Sequence, residues 1–294
     1  MFLRIPEFNY LKASTLNEAL EILNRLDDVK LLAGGTDLVI DLKIGRFKPK
    51  NILDISDLRE LSYIKDEGDK IRIGALTKLQ DIAESPVVKA KLPALAEAVK
   101  WMASWQVRNF ATIGGNLCNA SPAADSAPPL LVYEAKIKLV SLNGEREVPL
   151  KEFFLGPRKT VMEKGEMLKE IIVPYQEGLG QAYIKLGRRT AFTLSIVSVA
   201  TAVKVENGKF SDVRIALNAV APKPVRAVKA EEFLKGKDVS LQNIEEAAKL
   251  VLEDISPISD VRASAEYRKD MSVVLTRDAL IQSLKSIGID VGGE

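Results

Sequence analysis

The sequence has 294 residues, of which 47% are hydrophobic and 28% charged, as is usual for a globular protein. This length is enough for one large domain or two ordinary ones. With 42 basic and 40 acidic residues the formal net charge is +2, which gives no basic field of the kind that binds nucleic acid, and no apolar run is long enough to span a membrane.

Two capping boxes mark helix starts in the first half of the chain. Thr15-Leu16-Asn17-Glu18 precedes an apolar-periodic helix through Leu23, and Thr77-Lys78-Leu79-Gln80 has the same pattern. The other predicted elements are strands at 30–33 and 51–55, a hairpin at 63–75, a helix at 87–103 that starts again or breaks near Pro93, an ordered loop at 111–127, a hairpin at 135–148 and a closing segment at 161–174.

The pattern changes after residues 174–180, where Pro, Gln and Gly cluster. The elements predicted beyond this point are strands at 181–186, 195–205 and 211–220, with Asn207-Gly208 as a hairpin turn, and long helices at 240–253 and 265–284. An antiparallel sheet backed by helices is an α+β arrangement. We therefore predict two domains, at 1–176 and 177–294.

Two glycine pairs are the clearest candidates for a ligand site: Gly34-Gly35 and Gly114-Gly115. Glycine lets the backbone approach a ligand closely, and successive N–H groups can form a concavity for an anion. A helix after the first pair, capped by Thr36 or Asp37, would add its positive dipole end. Two such loops could grip a diphosphate from both sides.

A glycine pair is, however, more often a plain tight turn. Neither pair belongs to the G-x-G-x-x-G pattern of dinucleotide-binding folds, and no Gly-Lys-Ser or Gly-Lys-Thr follows as in a phosphate-binding loop. Residue types alone therefore do not distinguish a phosphate-binding loop from a tight turn.

The cysteine and histidine counts exclude several kinds of site. The single cysteine, Cys118, allows no internal disulfide and no four-cysteine iron–sulfur cluster within this chain, and it fits a reducing, cytoplasmic compartment. The chain has no histidine, which rules out Ser-His-Asp and Cys-His catalysis, the usual zinc sites and a flavin tethered through histidine. Residues 1–4 lead into a polar stretch without a signal-peptide pattern. We assign no catalytic residue and no metal ligand to this chain.

The sequence around the second glycine pair is far more specific than the pair itself. Residues 106–125, QVRNFATIGGNLCNASPAAD, closely resemble the flavin-binding signature of the molybdenum hydroxylase family, which includes medium subunits of carbon monoxide dehydrogenase and aldehyde oxidoreductases and the central domain of xanthine dehydrogenase. Residues 33–38 match the family's other loop in the expected order, and residues 73–75 a strand end. Residues 220–227 and 259–268 also resemble it, so the similarity covers nearly the whole chain.

The resemblance implies an α+β fold: a two-part FAD-binding domain of the PCMH (vanillyl-alcohol oxidase-like) type, then a small antiparallel sheet packed with helices. It implies non-covalent FAD, held mostly by backbone amides of 31–38 and 112–116 on the diphosphate, with Ser121 and Asp125 near the ribityl or phosphate groups, Met102 against the cofactor, Leu168 in the adenine or flavin pocket and Lys185 near the ring. The implied cofactor-binding residues are Leu31, Leu32, Ala33, Gly34, Gly35, Thr36, Asp37, Leu38, Met102, Ala111, Thr112, Ile113, Gly114, Gly115, Asn116, Ser121, Asp125, Leu168 and Lys185.

Several of these residues have a plainer interpretation. Asp125 could cap a helix that starts at Ser126. Met102, Trp101 and Trp105 lie at helical spacing and could belong to the core, and Lys185 could be a solvated strand lysine. Arg188 and Arg189 could form exposed salt bridges. Many relatives carry an acidic residue near 194 or 195, and this sequence has none.

The resemblance implies a relay subunit without substrate chemistry of its own. Electrons would come from a large molybdenum-binding subunit through a small 2Fe-2S subunit to FAD and then to an external acceptor, in a heterotrimer or its dimer, with molybdenum cofactor and clusters on the partners only. Two alternatives are a free-standing flavin oxidase or reductase of related fold and a non-catalytic nucleotide-binding protein. The substrate depends on another chain and cannot be named from this sequence.

Overall fold

The N-terminal part of the chain forms a small parallel sheet in the computed structural model, which describes residues 4–291. In spatial order the strands are β1 (Asn9–Lys12), β3 (Asn51–Asp54) and β2 (Val29–Leu32). Helix α1 (Leu16–Arg25) connects β1 to β2, and α2 (Leu38–Lys43) lies between β2 and β3. The first glycine pair therefore follows the carboxyl end of a parallel strand, an edge at which open sheets commonly bind ligands.

The first capping box forms as predicted and the second does not. The hydroxyl of Thr15 accepts a hydrogen bond from the amide of Glu18 at 3.2 Å, and the Glu18 carboxylate accepts from the amide of Ser14 at 2.7 Å. The helix after the second box begins without a side-chain cap. The hydroxyl of Thr77 is used elsewhere, because it accepts from the amide of Tyr63 at 3.1 Å and donates to its carbonyl at 2.9 Å.

A five-stranded antiparallel sheet forms the second layer. In spatial order its strands are β4 (Ile64–Asp66), β5 (Lys70–Gly74), β10 (Met167–Pro174), β6 (Lys136–Ser141) and β7 (Gly144–Pro149). The shorter elements around it are the 3₁₀ turn Arg59–Leu61, helices α3 (Leu79–Glu84), α4 (Pro86–Lys91), α5 (Pro93–Lys100), α6 (Trp105–Arg108), α7 (Ile113–Cys118), α8 (Ala127–Val132) and α9 (Leu150–Phe153), and the hairpin of β8 (Phe154–Gly156) and β9 (Lys159–Thr160).

One prediction for this layer is wrong in part. The predicted strands and hairpins are present, and the predicted helix at 87–103 breaks at Pro93 into α4 and α5. Residues 111–127 are not a loop throughout, because α7 begins inside them with Thr112 as its N-cap. Glycine disfavours helix interiors, so the pair Gly114-Gly115 concealed this helix start.

The C-terminal half contains a four-stranded antiparallel sheet covered by helices. In spatial order the strands are β11 (Gly180–Gly187), β12 (Ser195–Glu206), β13 (Lys209–Asn218) and β14 (Val225–Arg226). The helical elements are α10 (Val228–Leu234), α11 (Leu241–Leu250), the 3₁₀ turn Val251–Glu253 and α12 (Ala265–Ser286). The predicted strands, hairpin turn and two long helices are confirmed, whereas β14 and α10 are additional.

The C-terminal sheet is buried on both faces. On one face its apolar side chains pack with α10, α11 and α12. On the other face Ala200, Ala202 and Ala216 join the core that includes α5 and α8 of the first half. These small side chains allow close approach, so one hydrophobic core cluster contains residues of both halves. Within residues 4–291 no helix is both long and apolar enough to cross a membrane.

A buried arginine fixes α12 to the C-terminal sheet. Arg268 is only 2% exposed, and its guanidinium donates to the carbonyls of Ile196 and Ala219 at 2.6 and 2.8 Å and to Asp260 at 2.8 Å. Burial by itself would raise the pKa of Asp260. Hydrogen bonds from the main chain and side chain of Arg262, with the charges of Arg262 and Arg268, outweigh burial and lower that pKa to about 2.

We expect Asp260→Asn to destabilise the protein at neutral pH by about 1–2 kcal/mol, allowing for solvent screening. The folded-state pKa lies below that of the unfolded chain, so the contribution is complete above about pH 4 and is lost as the pH falls towards about 2. Urea denaturation of the wild type and of Asp260→Asn between pH 7 and pH 2.5 measures this contribution to the free energy of unfolding. Asp238→Asn, which removes an exposed pair with Lys209, is the control and should cost little at any pH. If the free energy of unfolding of Asp260→Asn differed from that of the wild type by the same amount at every pH, this account would be contradicted.

Candidate cofactor-binding site

A cavity of about 480 Å³ lies between the first and second layers. It is bounded by the turn after β2, the start of α7, the β8–β9 hairpin and the start of β10. This volume lies in the range of cofactor pockets in proteins. The cavity therefore lies where the sequence placed its glycine loops.

Most of the residues assigned to a cofactor from sequence line this cavity. They are Leu31, Ala33, Gly34, Gly35, Thr36, Asp37, Leu38, Ala111, Thr112, Gly114, Gly115, Asn116 and Leu168. Two glycine pairs that are far apart in the chain therefore share one concave surface.

The two glycine loops meet because Gly34 has no side chain. A Cβ atom on Gly34 would lie 2.1 Å from the carbonyl oxygen of Phe110 and 3.0 Å from the Cα of Ala111, which are main-chain atoms just before the second pair. Gly35 adopts φ +70°, a left-handed conformation that other residues rarely take. Gly114 in turn packs against Ala75, whose carbonyl oxygen would be 2.7 Å from an added Cβ. Close backbone contact thus sets the separation of the loops.

The two loops differ in the amides that they can offer to a ligand. Among residues 4–291, no acceptor pairs with the amides of Gly34, Gly35, Thr36 and Asp37, so the first loop presents a run of available N–H groups. In the second loop the amides of residues 113–116 are already used: Gly114 donates to Ala75 at 2.9 Å, and Gly115 donates to the Thr112 hydroxyl at 3.1 Å.

The expectation that residues 112–116 would donate main-chain N–H groups to a ligand is therefore limited to Thr112, the one of these amides without an acceptor in the described part of the chain. The amides of Ile113 and Asn116 are likewise bonded, to the carbonyls of Thr77 and Thr112. The second loop can therefore meet a ligand with the hydroxyl of Thr112, the side chain of Asn116 and the bare surface of its glycines.

Six of the assigned residues do not line the cavity: Leu32, Met102, Ile113, Ser121, Asp125 and Lys185. Leu32 borders a shallow depression that shares the first glycine loop, and Met102 and Ile113 lie in the hydrophobic core. The hydroxyl of Ser121 accepts from the amide of Ala123 at 3.2 Å. The alternative that Trp101 and Trp105 are core residues is wrong, since they are 45% and 58% exposed.

Asp125 and Lys185 form a buried ion pair between the two halves of the chain. Their side chains are 5% and 6% exposed, and the Lys185 ammonium lies 2.7 Å from the carboxylate. The other carboxylate oxygen accepts from the hydroxyls of Ser195 and Ser198 and from the Asn218 amide. Asp125 therefore does not cap α8, and Lys185 is not a solvated lysine. Four donors from three strands compensate the burial of this carboxylate.

A second cleft, of about 350 Å³, lies beside this ion pair. Trp101 lines it from the first half, and Lys185, Arg188 and Arg189 line it from the second. The two arginines donate to the carbonyls of Val261 and Phe192 and form no ion pair within residues 4–291. The exposed salt bridges considered for them are therefore absent from the described part of the chain, and the cleft is positively charged.

Sequence reasoning missed the charged wall of the main cavity. Asp41, Asn119 and Arg158 line it together, although they come from α2, from the end of α7 and from the β8–β9 turn. No spacing rule connects these positions, because the tertiary fold alone brings them together. Only Asn119 lies inside a segment that the sequence marked, between the assigned residues Asn116 and Ser121. Residues 4–291 contain no group of Asp, Glu or Cys side chains arranged to bind a metal.

Cys118 also lines the cavity, at the end of α7. Part of its side chain is open to the cavity, but protein surrounds the thiol on most sides, and Met162 Sδ lies 3.6 Å from its Sγ. Burial raises the pKa of the Cys118 thiol to about 12. The thiol is therefore neutral at physiological pH and a poor nucleophile.

Comparison with protein families gives two adjoining matches. Residues 6–176 match the family described as the FAD binding domain in molybdopterin dehydrogenase. Residues 181–283 match the CO dehydrogenase flavoprotein C-terminal domain.

Individual proteins resemble the chain over nearly its whole length. The glyceraldehyde dehydrogenase medium chain of Sulfolobus acidocaldarius is 39% identical, over 93% of this chain and 97% of its own. A putative xanthine dehydrogenase FAD-binding subunit of Escherichia coli is 37% identical, over 95% of this chain and 97% of its own. Among solved structures, the carbon monoxide dehydrogenase of Hydrogenophaga pseudoflava superposes with a TM-score of 0.93 at 37% identity, covering 96% of this chain and 99% of that one.

Gly34→Ala should separate the two loops, because its methyl group cannot share space with the Phe110 carbonyl. We expect a loss of about 1–3 kcal/mol in the free energy of unfolding, as for other overpacked sites. Urea denaturation measures it. The control is Gly156→Ala, since an added Cβ there has no atom within 4 Å. Equal stability of the two variants would contradict the proposed close contact.

Cys118 should resist alkylation in the folded protein. With a pKa of about 12, about one thiol in 10⁴ is ionised at pH 8, against about a quarter for an unperturbed cysteine. Iodoacetamide should therefore react on the order of 10³-fold more slowly with the native chain than with the chain in urea, as followed by intact mass. Similar rates in the two states would show that the thiol is neither buried nor neutral.

Proposed function

The chain belongs to the FAD-binding medium subunits of the molybdenum hydroxylase family, and on that premise we propose that it holds one FAD without a covalent bond and relays electrons within a larger oxidoreductase. The observation that carries the proposal is the convergence of both glycine loops on a single cavity, with four open amides on one of them. Main-chain N–H groups in a row suit the oxygens of a diphosphate.

The residues of the cavity fit a dinucleotide beyond its diphosphate. Apolar side chains of Leu31, Phe47, Met162, Met167 and Leu168 line its walls, as expected where a cofactor ring is to be buried. Thr36 and Asn116 supply polar side-chain atoms beside the glycines. The first loop would bind the diphosphate through its amides, and the second would hold the cofactor through shape and through Thr112 and Asn116.

Bound FAD would supply the two-electron redox chemistry by which electrons from a partner reach an external acceptor. The chain's own residues bind and orient the cofactor and keep water from part of its surface. The chain has no histidine and the thiol of Cys118 is held neutral; three carboxylates, Asp37, Asp41 and Glu163, line the cavity, and we assign no proton-transferring role to any of them. This accords with a relay role, because substrate oxidation would take place on a molybdenum-binding partner.

We propose that the remaining assigned residues act at the edge of the same site. Lys185, held by Asp125, would present the positively charged cleft beside Trp101 to the flavin end of the cofactor. Met102, Ile113 and Leu32 would support the loops from behind. The domain boundary that we propose, between residues 176 and 177, agrees with the gap between the two family matches.

We further propose a heterotrimer with a large molybdenum-binding subunit and a small 2Fe-2S subunit, or a dimer of that heterotrimer, in the cytoplasm. The medium-chain names of relatives that match over nearly their full length support partner subunits. A single cysteine with no disulfide partner fits a reducing compartment.

The test is direct purification of the recombinant chain after incubation with FAD. We expect one FAD per chain, a yellow colour, and complete release of the flavin on acid precipitation, because no covalent link is formed. Addition of a reduced 2Fe-2S partner subunit without oxygen should bleach the flavin absorbance. A chain that takes up no FAD, or that steadily oxidises small alcohols or a nicotinamide when isolated, would contradict the relay proposal, and the second result would favour the free-standing oxidase.

A further inference from the structure

An arginine that no sequence motif marks stands between the two glycine loops. Arg158 lies at the tip of the β8–β9 hairpin with φ +59°, a left-handed conformation that is uncommon for a non-glycine residue. Its own amide donates to the carbonyl of Ala120 at 2.9 Å, just beyond α7. The hairpin tip is thereby fixed against the segment that follows the second glycine pair.

The guanidinium of Arg158 reaches both loops through a single nitrogen. Its Nη1 donates to Asp41 Oδ2 at 2.8 Å and to Asn119 Oδ1 at 2.9 Å. Asp41 lies in α2, the helix that follows Gly34-Gly35, and Asn119 ends α7, the helix that contains Gly114-Gly115. The side chain therefore connects the two cavity walls at a point different from the Gly34 contact.

The two arginines paired with Asp41 more than offset its negative charge. The carboxylate of Asp41 is 5% exposed and is paired with both Arg46 and Arg158. Two guanidinium groups on one carboxylate leave this group of three with a net charge of +1, which offsets the nearby carboxylate of Asp37 on the same cavity wall. Within residues 4–291, the Nε and Nη2 atoms of Arg158 have no acceptor, although guanidinium has five N–H groups to donate.

We propose that Arg158 is a positioning residue for the diphosphate site: it holds the two glycine loops at a fixed separation and keeps the buried Asp41 carboxylate from repelling an anionic ligand. This inference rests on the proposed function, because it assumes a diphosphate-containing ligand in the cavity. Both bonds come from one NH2 group of a planar guanidinium, whose N–H directions are fixed, whereas a lysine ammonium on a flexible stem is not held in one geometry. Without Arg158, Asp41 would keep one of its two positive partners and the second loop would lose its connection to α2.

The test is the affinity for FAD of variants that remain folded. Apo proteins are titrated with FAD by flavin fluorescence at a temperature at which circular dichroism shows each variant fully folded, so that global stability does not affect the dissociation constant. We expect Arg158→Met to weaken binding at least tenfold and Arg158→Lys to recover no more than part of the loss. Asn119→Ala, which removes only the second acceptor, should weaken binding several-fold.

The matched control is Arg226→Met. Arg226 is also ion-paired with a carboxylate, Glu231, and bonded to a carbonyl, Leu131, but it lies in β14 away from the cavity. The substitution Arg226→Met should lower the melting temperature of the protein without changing its affinity for FAD by more than twofold.

Three results would overturn the inference: wild-type affinity in Arg158→Met, full recovery by Arg158→Lys, or an equal loss in Arg226→Met. Each presupposes that the wild-type chain binds FAD. If the wild-type chain itself fails to bind, the proposed function is contradicted instead, so the two failures can be told apart.

Discussion

The main-chain contact between Gly34 and Phe110 determines where the cavity lies. It brings the turn after β2 against the segment that leads into α7, and these two turns come from different layers of the fold. The contact fixes the separation of the two glycine loops. The amides of the first loop remain unpaired, because no strand or helix of the described residues covers them. An open run of N–H groups costs stability unless water or a ligand satisfies it. The fold thus maintains a polar main-chain surface that a diphosphate suits.

The C-terminal half is attached to this arrangement through Asp125. Its carboxylate accepts hydrogen bonds from residues of β11, β12 and β13, and it comes from the loop that follows α7. A buried carboxylate is tolerated only where donors surround it, so this one specifies how the C-terminal sheet is oriented relative to α7. Trp101 and the positively charged cleft are placed by the same contact, because the Lys185 ammonium also donates to the Trp101 carbonyl at 3.0 Å. The halves are therefore coupled beside the second cleft.

Local chemistry made part of the fold predictable from sequence. Thr15 caps its helix through a bond to a residue three positions away, and Asn207-Gly208 turns a hairpin with both residues at positive φ. Thr77 failed as a predicted cap because its hydroxyl is used by Tyr63, which lies in another part of the chain. The prediction of a loop at 111–127 was wrong in part, because a tertiary contact of Gly114 favours a helix start that the low helix propensity of glycine opposes. The grouping of Asp41, Asn119 and Arg158 could not be predicted, since their three separate segments meet only in the folded chain.

The cavity relies on main-chain groups where many sites rely on side chains. This explains why the composition excludes histidine-dependent catalysis and the usual metal sites and still allows a bound cofactor. Main-chain amides need no particular residue type beyond the glycines that permit their approach. Three residues matter most for the site: Gly34, because it lacks a Cβ, and Asp125 and Arg158 through their side chains. All three determine where main-chain segments lie. A chain without histidine can therefore hold a redox cofactor, because the cofactor carries the redox chemistry and the protein supplies a fixed and partly dry position for it. Substitution of any one of these residues should therefore lower the affinity for the cofactor before it changes the redox reaction of the cofactor.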